Sequence, residues 1–205
     1  MAEVREPVRG FLPPKGLGGG VLFALLATLG TCVCLGVFLA EGGETGLHAW
    51  IRNTARFSTA YFGVAFVTSS LLVFWRHPWI LWLRRNRRVI GLAFAFTMTL
   101  HLGGLAALAH FYPEPFLSGV SLLTLLGGGT AYVFIYVLAF TSTDSAQRAL
   151  GLRNWQRLHR VGGWVIWIVF TQTLTLGVMS GDGSRLFSAL FMWTVGALRL
   201  IAYRR

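Results

Sequence analysis

The sequence predicts an all-α membrane protein: a bundle of six transmembrane helices with both termini on the cytoplasmic side. Three observations carry that expectation. Hydrophobic residues are 55 % of the 205 and charged residues 12 %, about half the charged share of a soluble domain, roughly 25 %. The apolar residues gather in runs near the length of about 20 that a helix needs to cross a bilayer. The arginines fall in alternate gaps between those runs, the bias that marks cytoplasmic loops.

The first run, Leu17 to Ala40, follows a charged segment, residues 1–16, that contains Pro13 and Pro14. It is longer than the apolar stretch of a cleaved signal, about 7–15 residues, so a retained helix is expected. Cys32 and Cys34 lie two residues apart within it. On a helix they face different ways, so they read as packing residues and not as a disulfide or metal pair. The second run is Phe57 to Trp75. The third, Val89 to Phe111, is ended by Pro113 and Pro115, and the fourth is Gly119 to Thr141. A short interfacial helix follows, started by Asp144 or Ser145 and closed by Gly151. The fifth run spans about Leu158 to Met179, and the sixth, Leu186 to Ile201, is the shortest.

Residues 17–205 therefore read as one membrane domain. No soluble unit is long enough to hold a flavin or nicotinamide, so any reductant comes from a partner.

Orientation follows from the gaps. Arg76, Arg84, Arg85, Arg87 and Arg88 lie between the second and third runs with no acid. Arg148, Arg153, Arg157 and Arg160 lie around the start of the fifth against Asp144 alone, and Arg199, Arg204 and Arg205 are assigned to the tail. The opposite gaps hold Glu41, Glu44, Glu114 and Asp182. Trp75, Trp79, Trp82 and Trp155 flank the arginine-rich side as an aromatic belt. The net charge of +11 is thus spread along the chain as topological anchoring. It is not one basic patch, and no nucleic-acid partner is expected.

Ionisable groups inside a membrane are costly and are functional candidates. His101 sits mid-helix beside Gly103 and Gly104; His159 stands at the entrance of the fifth run, followed by Gly162 and Gly163. Small neighbours let a flat macrocycle approach, and neutral imidazole is an axial ligand of haem iron. The competing reading is a histidine bonded to a neighbouring helix carbonyl. His110 falls out of phase with His101, and His48 and His77 read as solvated or headgroup-facing. Arg56 suits a lipid phosphate or a propionate, and Arg157 and Arg160 suit anchoring, an inner propionate or a flavin donor. Gly127, Gly128 and Gly129 suggest close helix packing. Thr171, Gln172, Thr173 and Thr175 form a polar stretch that fits an altered pocket or helix–helix hydrogen bonding. No nucleophile–base set, phosphate loop or zinc cluster is present, and no acid lies within a run, which argues against a proton pump.

The stretch RRNRRVIGLAFAFTMTLH, residues 84–101, resembles the third-helix motif of the MsrQ (YedZ) family. The stretch LAFTSTDSAQRALGLRNWQRLH, residues 138–159, is similar to that family's junction between helices four and five. MsrQ proteins are haem-containing membrane subunits of a bacterial methionine sulfoxide reductase system, within the wider ferric-reductase-like transmembrane domain. The resemblance implies a b-type cytochrome of the bacterial inner membrane, with one or two haems b and FMN or quinone through a partner. It would be an electron-transfer subunit, not a complete enzyme. It would carry electrons from a cytoplasmic flavin reductase or the quinol pool to a periplasmic reductase subunit of the MsrP kind. A related ferric or metal reductase, and a haem-free scaffold or assembly subunit, are the rival readings.

The family's ligand pattern maps onto this chain incompletely. Fuller members carry histidines about 14 apart on the third helix and about 13 apart on the fifth, which separates two stacked haems by roughly 20 Å. His101 matches the outer position of the third helix, and Arg87 stands where the inner histidine would be. His159 matches the inner position of the fifth, and Gln172 stands where the family has histidine. At the helical rise, His101 lies about 20 Å deep, Gln172 about 22 Å and His159 about 3 Å. His101 and Gln172 are therefore expected as an outer pair, and His159 and Arg87 as an inner one. Gln172 is a poor ligand, so an outer iron is expected to be five-coordinate or water-bound.

Overall fold

The computed structural model describes residues 19–204. The N-terminal segment 1–16, the expected helix start at Leu17, and Arg205 lie outside them. The elements are α1 (Gly19–Glu41), α2 (Gly43–Phe74), α3 (Pro78–Phe111), α4 (Pro113–Gly119), α5 (Leu122–Phe140), α6 (Asp144–Leu150), α7 (Leu152–Met179) and α8 (Leu186–Tyr203). A 3₁₀ turn, Gly183–Arg185, leads into α8, and no strand occurs among the described residues. Six of these helices are long and apolar enough to cross a membrane. The all-α, six-span architecture is the one expected.

Three helices start well before their apolar runs. The 32 residues of α2 extend about 48 Å, beyond a hydrocarbon core of about 30 Å. Its first turns are amphipathic: Gly46 and Ala49 are buried, while His48, Arg52 and Arg56 are exposed. Hydropathy alone ends a helix at its charges, although the helix continues past them. For the same reason Arg84 to Arg88 lie on α3, not in a loop, and Arg153 and Arg157 lie on α7. His77 caps α3, its Nδ1 accepting from the Trp79 N–H at 3.4 Å.

The interfacial helix α6 exists, but its cap is Thr143, whose hydroxyl accepts from the Ala146 N–H at 3.2 Å. Asp144 is instead drawn to Arg88 at 2.7 Å. That pair is exposed and contributes at most about 1 kcal/mol. Gly151, at φ +75°, closes the helix and opens α7.

α2 is the central column, packed against α1, α3 and α8; α7 lies against α5 and α8. Phe62 on α2 meets Phe94 on α3 at a tilt, 5.2 Å between centroids, and stacks with Phe170 on α7 at 5.8 Å. α3 and α7 thus meet through aromatic rings more than through close backbones. Cys34 is buried and Cys32 exposed, as two faces of α1 require.

At the end bearing the acids, the Ser184 hydroxyl donates to Asp182 at 2.6 Å and the Arg185 Nε at 2.7 Å. These bonds, Ser184 first and Arg185 second, hold the Asp182 carboxyl below its usual value. A depressed carboxyl stabilises the fold above its unfolded pKa, about 3.9, and that stabilisation fades as pH falls through the folded value. Asp182→Asn should therefore flatten the acid limb of a plot of melting temperature against pH. The effect should be small, because the turn is exposed.

Candidate functional site

His101 sits on the buried stripe of α3, in phase with Ile90, Phe94, Thr97 and Leu108. Its Nδ1 lies 3.0 Å from the Ile51 carbonyl and 3.0 Å from the Thr54 hydroxyl on α2. Thr54 spends its own proton on the Trp50 carbonyl at 2.8 Å. Both partners of Nδ1 therefore accept, so Nδ1 carries the proton and Nε2 keeps its lone pair. An N–H held in this way fixes the tautomer and orientation of the ring. The helix-carbonyl bond weighed against ligation is present too, and the two are compatible because they use different nitrogens.

The neighbouring glycines serve helix packing. A Cβ on Gly104 would stand 2.6 Å from Trp50, whose indole N–H donates to the Leu100 carbonyl at 2.9 Å. Gly103 faces open space on the other side of α3. Gly162 is closed over by Phe134 and Leu138, and Gly163 by Phe66. These notches hold protein side chains, not the flat ring that small residues suggested. On α5 the reverse holds. Gly128 and Gly129 meet nothing within 4 Å, because α5 packs on α7 through its later residues, Ala131, Phe134, Ile135 and Leu138.

Gln172 is exposed, as is Thr173. Two residues earlier Phe170 turns inward to meet Phe94, and a two-residue step rotates about 200° around a helix. The contacts therefore do not bring Gln172 to His101. Gln172→His should leave the optical spectrum of purified protein unchanged, and a new low-spin signature would show that α7 turns that face inward. Elsewhere in the polar stretch, Thr175 accepts from the Trp193 indole at 3.2 Å, a helix–helix bond to α8. The Thr171 hydroxyl is buried without a partner.

At the arginine-rich end, Arg87 on α3 and His159 on α7 bond to different partners. Arg87 donates through Nε to the Ala65 carbonyl at 2.8 Å and through a terminal nitrogen to Ser69 at 3.3 Å. His159 Nε2 lies 3.1 Å from the Thr141 hydroxyl, which donates to Val137. Nε2 is then the protonated nitrogen of His159. The ring also lies against Trp155, at 4.2 Å between centroids. His159 thus keeps the lone pair of Nδ1, as His101 keeps that of Nε2, but one face of its ring is covered by Trp155.

Arg199 is the residue that a tail assignment misses. It is only 8 % exposed, because α8 continues to Tyr203 and carries it inside. Its guanidinium donates to the Phe66 carbonyl and lies over the Phe66 ring at 4.1 Å. The signal was available: Arg199 continues the stripe of Met192, Val195 and Gly196 that faces the core. Neither Arg87 nor Arg199 has a carboxylate partner among the described residues.

The other histidines lie apart. His48 pairs with Glu44 at 3.6 Å, and His110 is exposed with its ring beside Phe111. Arg56, Arg157 and Arg160 are exposed. Among the described residues no three His, Cys, Asp or Glu side chains converge on a metal position. A haem, held by one or two axial ligands, does not need such a cluster.

Fold and site together define a multi-pass helical membrane protein with an oriented imidazole in its apolar interior and two acid-free arginines near one end. No protein-family model matches this chain.

Proposed function

We propose that this protein is a transmembrane b-type cytochrome of the ferric-reductase-like kind, close to the MsrQ role, with His101 as the axial ligand. One observation supports this above the rest: the Ile51 carbonyl and Thr54 fix the Nδ1–H of His101 and leave Nε2 free to bind iron. Haem, when bound, supplies the one-electron ferric–ferrous couple. The chain's own residues orient the imidazole through Ile51 and Thr54. They exclude water with the ring cluster of Phe62, Phe94 and Phe170, and place positive charge at one end through Arg87 and Arg199. With Gln172 turned outward, His101 would hold the group from α3 without a partner from the same depth of α7. The arginine-rich end would face the cytoplasm of a bacterium and a flavin or quinol donor. The acid-bearing end would face a periplasmic acceptor, such as a soluble methionine sulfoxide reductase subunit.

A second reading, a haem-free membrane scaffold or assembly subunit, is favoured by the notches at Gly104, Gly162 and Gly163, which protein side chains already fill. Purified protein from haem-replete cells separates the two. A Soret band with a pyridine-haemochrome signal supports the cytochrome, and a colourless preparation overturns it in favour of the scaffold.

A further inference from the structure

The short link between α2 and α3 folds a groove at the arginine-rich end, lined by Ser69, Leu72, Val73, Arg76, Leu81 and Arg84. Its volume of about 770 Å³ falls within the range of small-molecule sites, about 300–1,000 Å³. Three aliphatic side chains and two guanidiniums line it; no acid does among the described residues. A third guanidinium, Arg87, reaches Ser69 from behind at 3.3 Å. Trp75 and Trp79, residues of the kind that sits at headgroup level, flank the same link.

We propose that this groove is a specific site for an anionic phospholipid, with its phosphate on Arg76 and Arg84 and the start of an acyl chain along Leu72, Val73 and Leu81. Charge and shape both select that occupant. A soluble phosphate would leave the aliphatic side chains wet, and a zwitterionic lipid would bring a second cation to an acid-free site. Basic pockets between transmembrane helices bind anionic headgroups for this reason. A second groove supplies the contrast. Arg153, Asn154, Gln156, Arg157 and Arg160 line it, with no aliphatic side chain, so it should attract phosphate without holding a lipid. This proposal is independent of the haem reading.

Native mass spectrometry of the full-length protein tests it, with phosphatidylglycerol titrated in detergent and phosphatidylcholine as the neutral control. Wild type should retain one phosphatidylglycerol preferentially. Arg76→Gln/Arg84→Gln should weaken that adduct about thirtyfold, at the per-arginine strength of headgroup attraction, while Arg153→Gln/Arg157→Gln should leave it. Val73→Trp, which fills the groove beside its aliphatic side chains and keeps every charge, should also displace the lipid, and it supplies the test if the double variant fails to fold. Equal loss in both arginine pairs, equal retention of phosphatidylcholine, retention in Val73→Trp, or displacement by millimolar inorganic phosphate would each overturn the proposal.

Discussion

Protein carrying His101→Ala, purified from haem-replete cells, should lose its Soret band, with the haem-to-protein ratio falling to background. His159, the other described histidine on a buried stripe, stands near the arginine-rich end and away from His101, so nothing replaces the ligand at that depth. The more informative partner is Thr54→Val, which keeps the volume and removes the oxygen beside Nδ1. Losing a bond that orients a ligating ring weakens metal-site affinity about 10- to 100-fold. Thr54→Val should therefore bind haem, but release it to apomyoglobin at least about tenfold faster than wild type. A merely structural role for His101 predicts the opposite pattern: a lowered melting temperature in both variants and no change in any haem signal. His159→Ala should leave the haem at His101 in place, because the His159 ring stands near the arginine-rich end with one face covered by Trp155.

The second large effect concerns stability. Gly196→Ala would normally add helix stability, by about 1 kcal/mol. Here the new methyl would stand 2.2 Å from Cζ2 and 2.5 Å from Cε2 of Trp167. That indole cannot swing away. Its N–H donates to the Met192 carbonyl at 2.8 Å, and it is wedged edge-on between Trp164 and Trp193. Overpacking of this kind costs about 1–3 kcal/mol, and α8 should separate from α7. The apparent melting temperature in detergent should drop by about 3–10 °C, at 2–4 °C per kcal/mol for a chain of this size. Gly177→Ala provides the control. The three atoms nearest its methyl all belong to Arg185, which can move at the cost of its exposed bond to Asp182, so the melting temperature should fall less than in Gly196→Ala. Equal losses in the two variants would show that backbone conformation, and not the indole, governs the cost.

Some features of the site were readable from residue types and spacing. His101 falls on the buried stripe of α3, in phase with Phe94 and Thr97. The misreadings share a cause. Hydropathy runs stop at charged residues, so Arg84 to Arg88 were assigned to a loop when they ride a continuous helix. Arg199 was assigned to a tail when α8 carries it against Phe66. The family position and depth both point to Gln172 as the partner of His101, but rise along a helix fixes height and leaves the facing direction to its neighbours. The cap of α6 went to Thr143 because Asp144 had a guanidinium across the gap that local pattern does not reveal.

By itself, the sequence determined the bilayer as solvent, the six spans and the gathering of arginine at one end, because these depend on transfer free energy and charge summed along the chain. The tertiary structure alone decided which nitrogen of His101 is free, which glycines are filled by aromatic rings and which way Gln172 turns. Those outcomes depend on helix rotation and on contacts between residues 30 to 130 positions apart, such as Tyr132 with Met98 and Arg199 with Phe66.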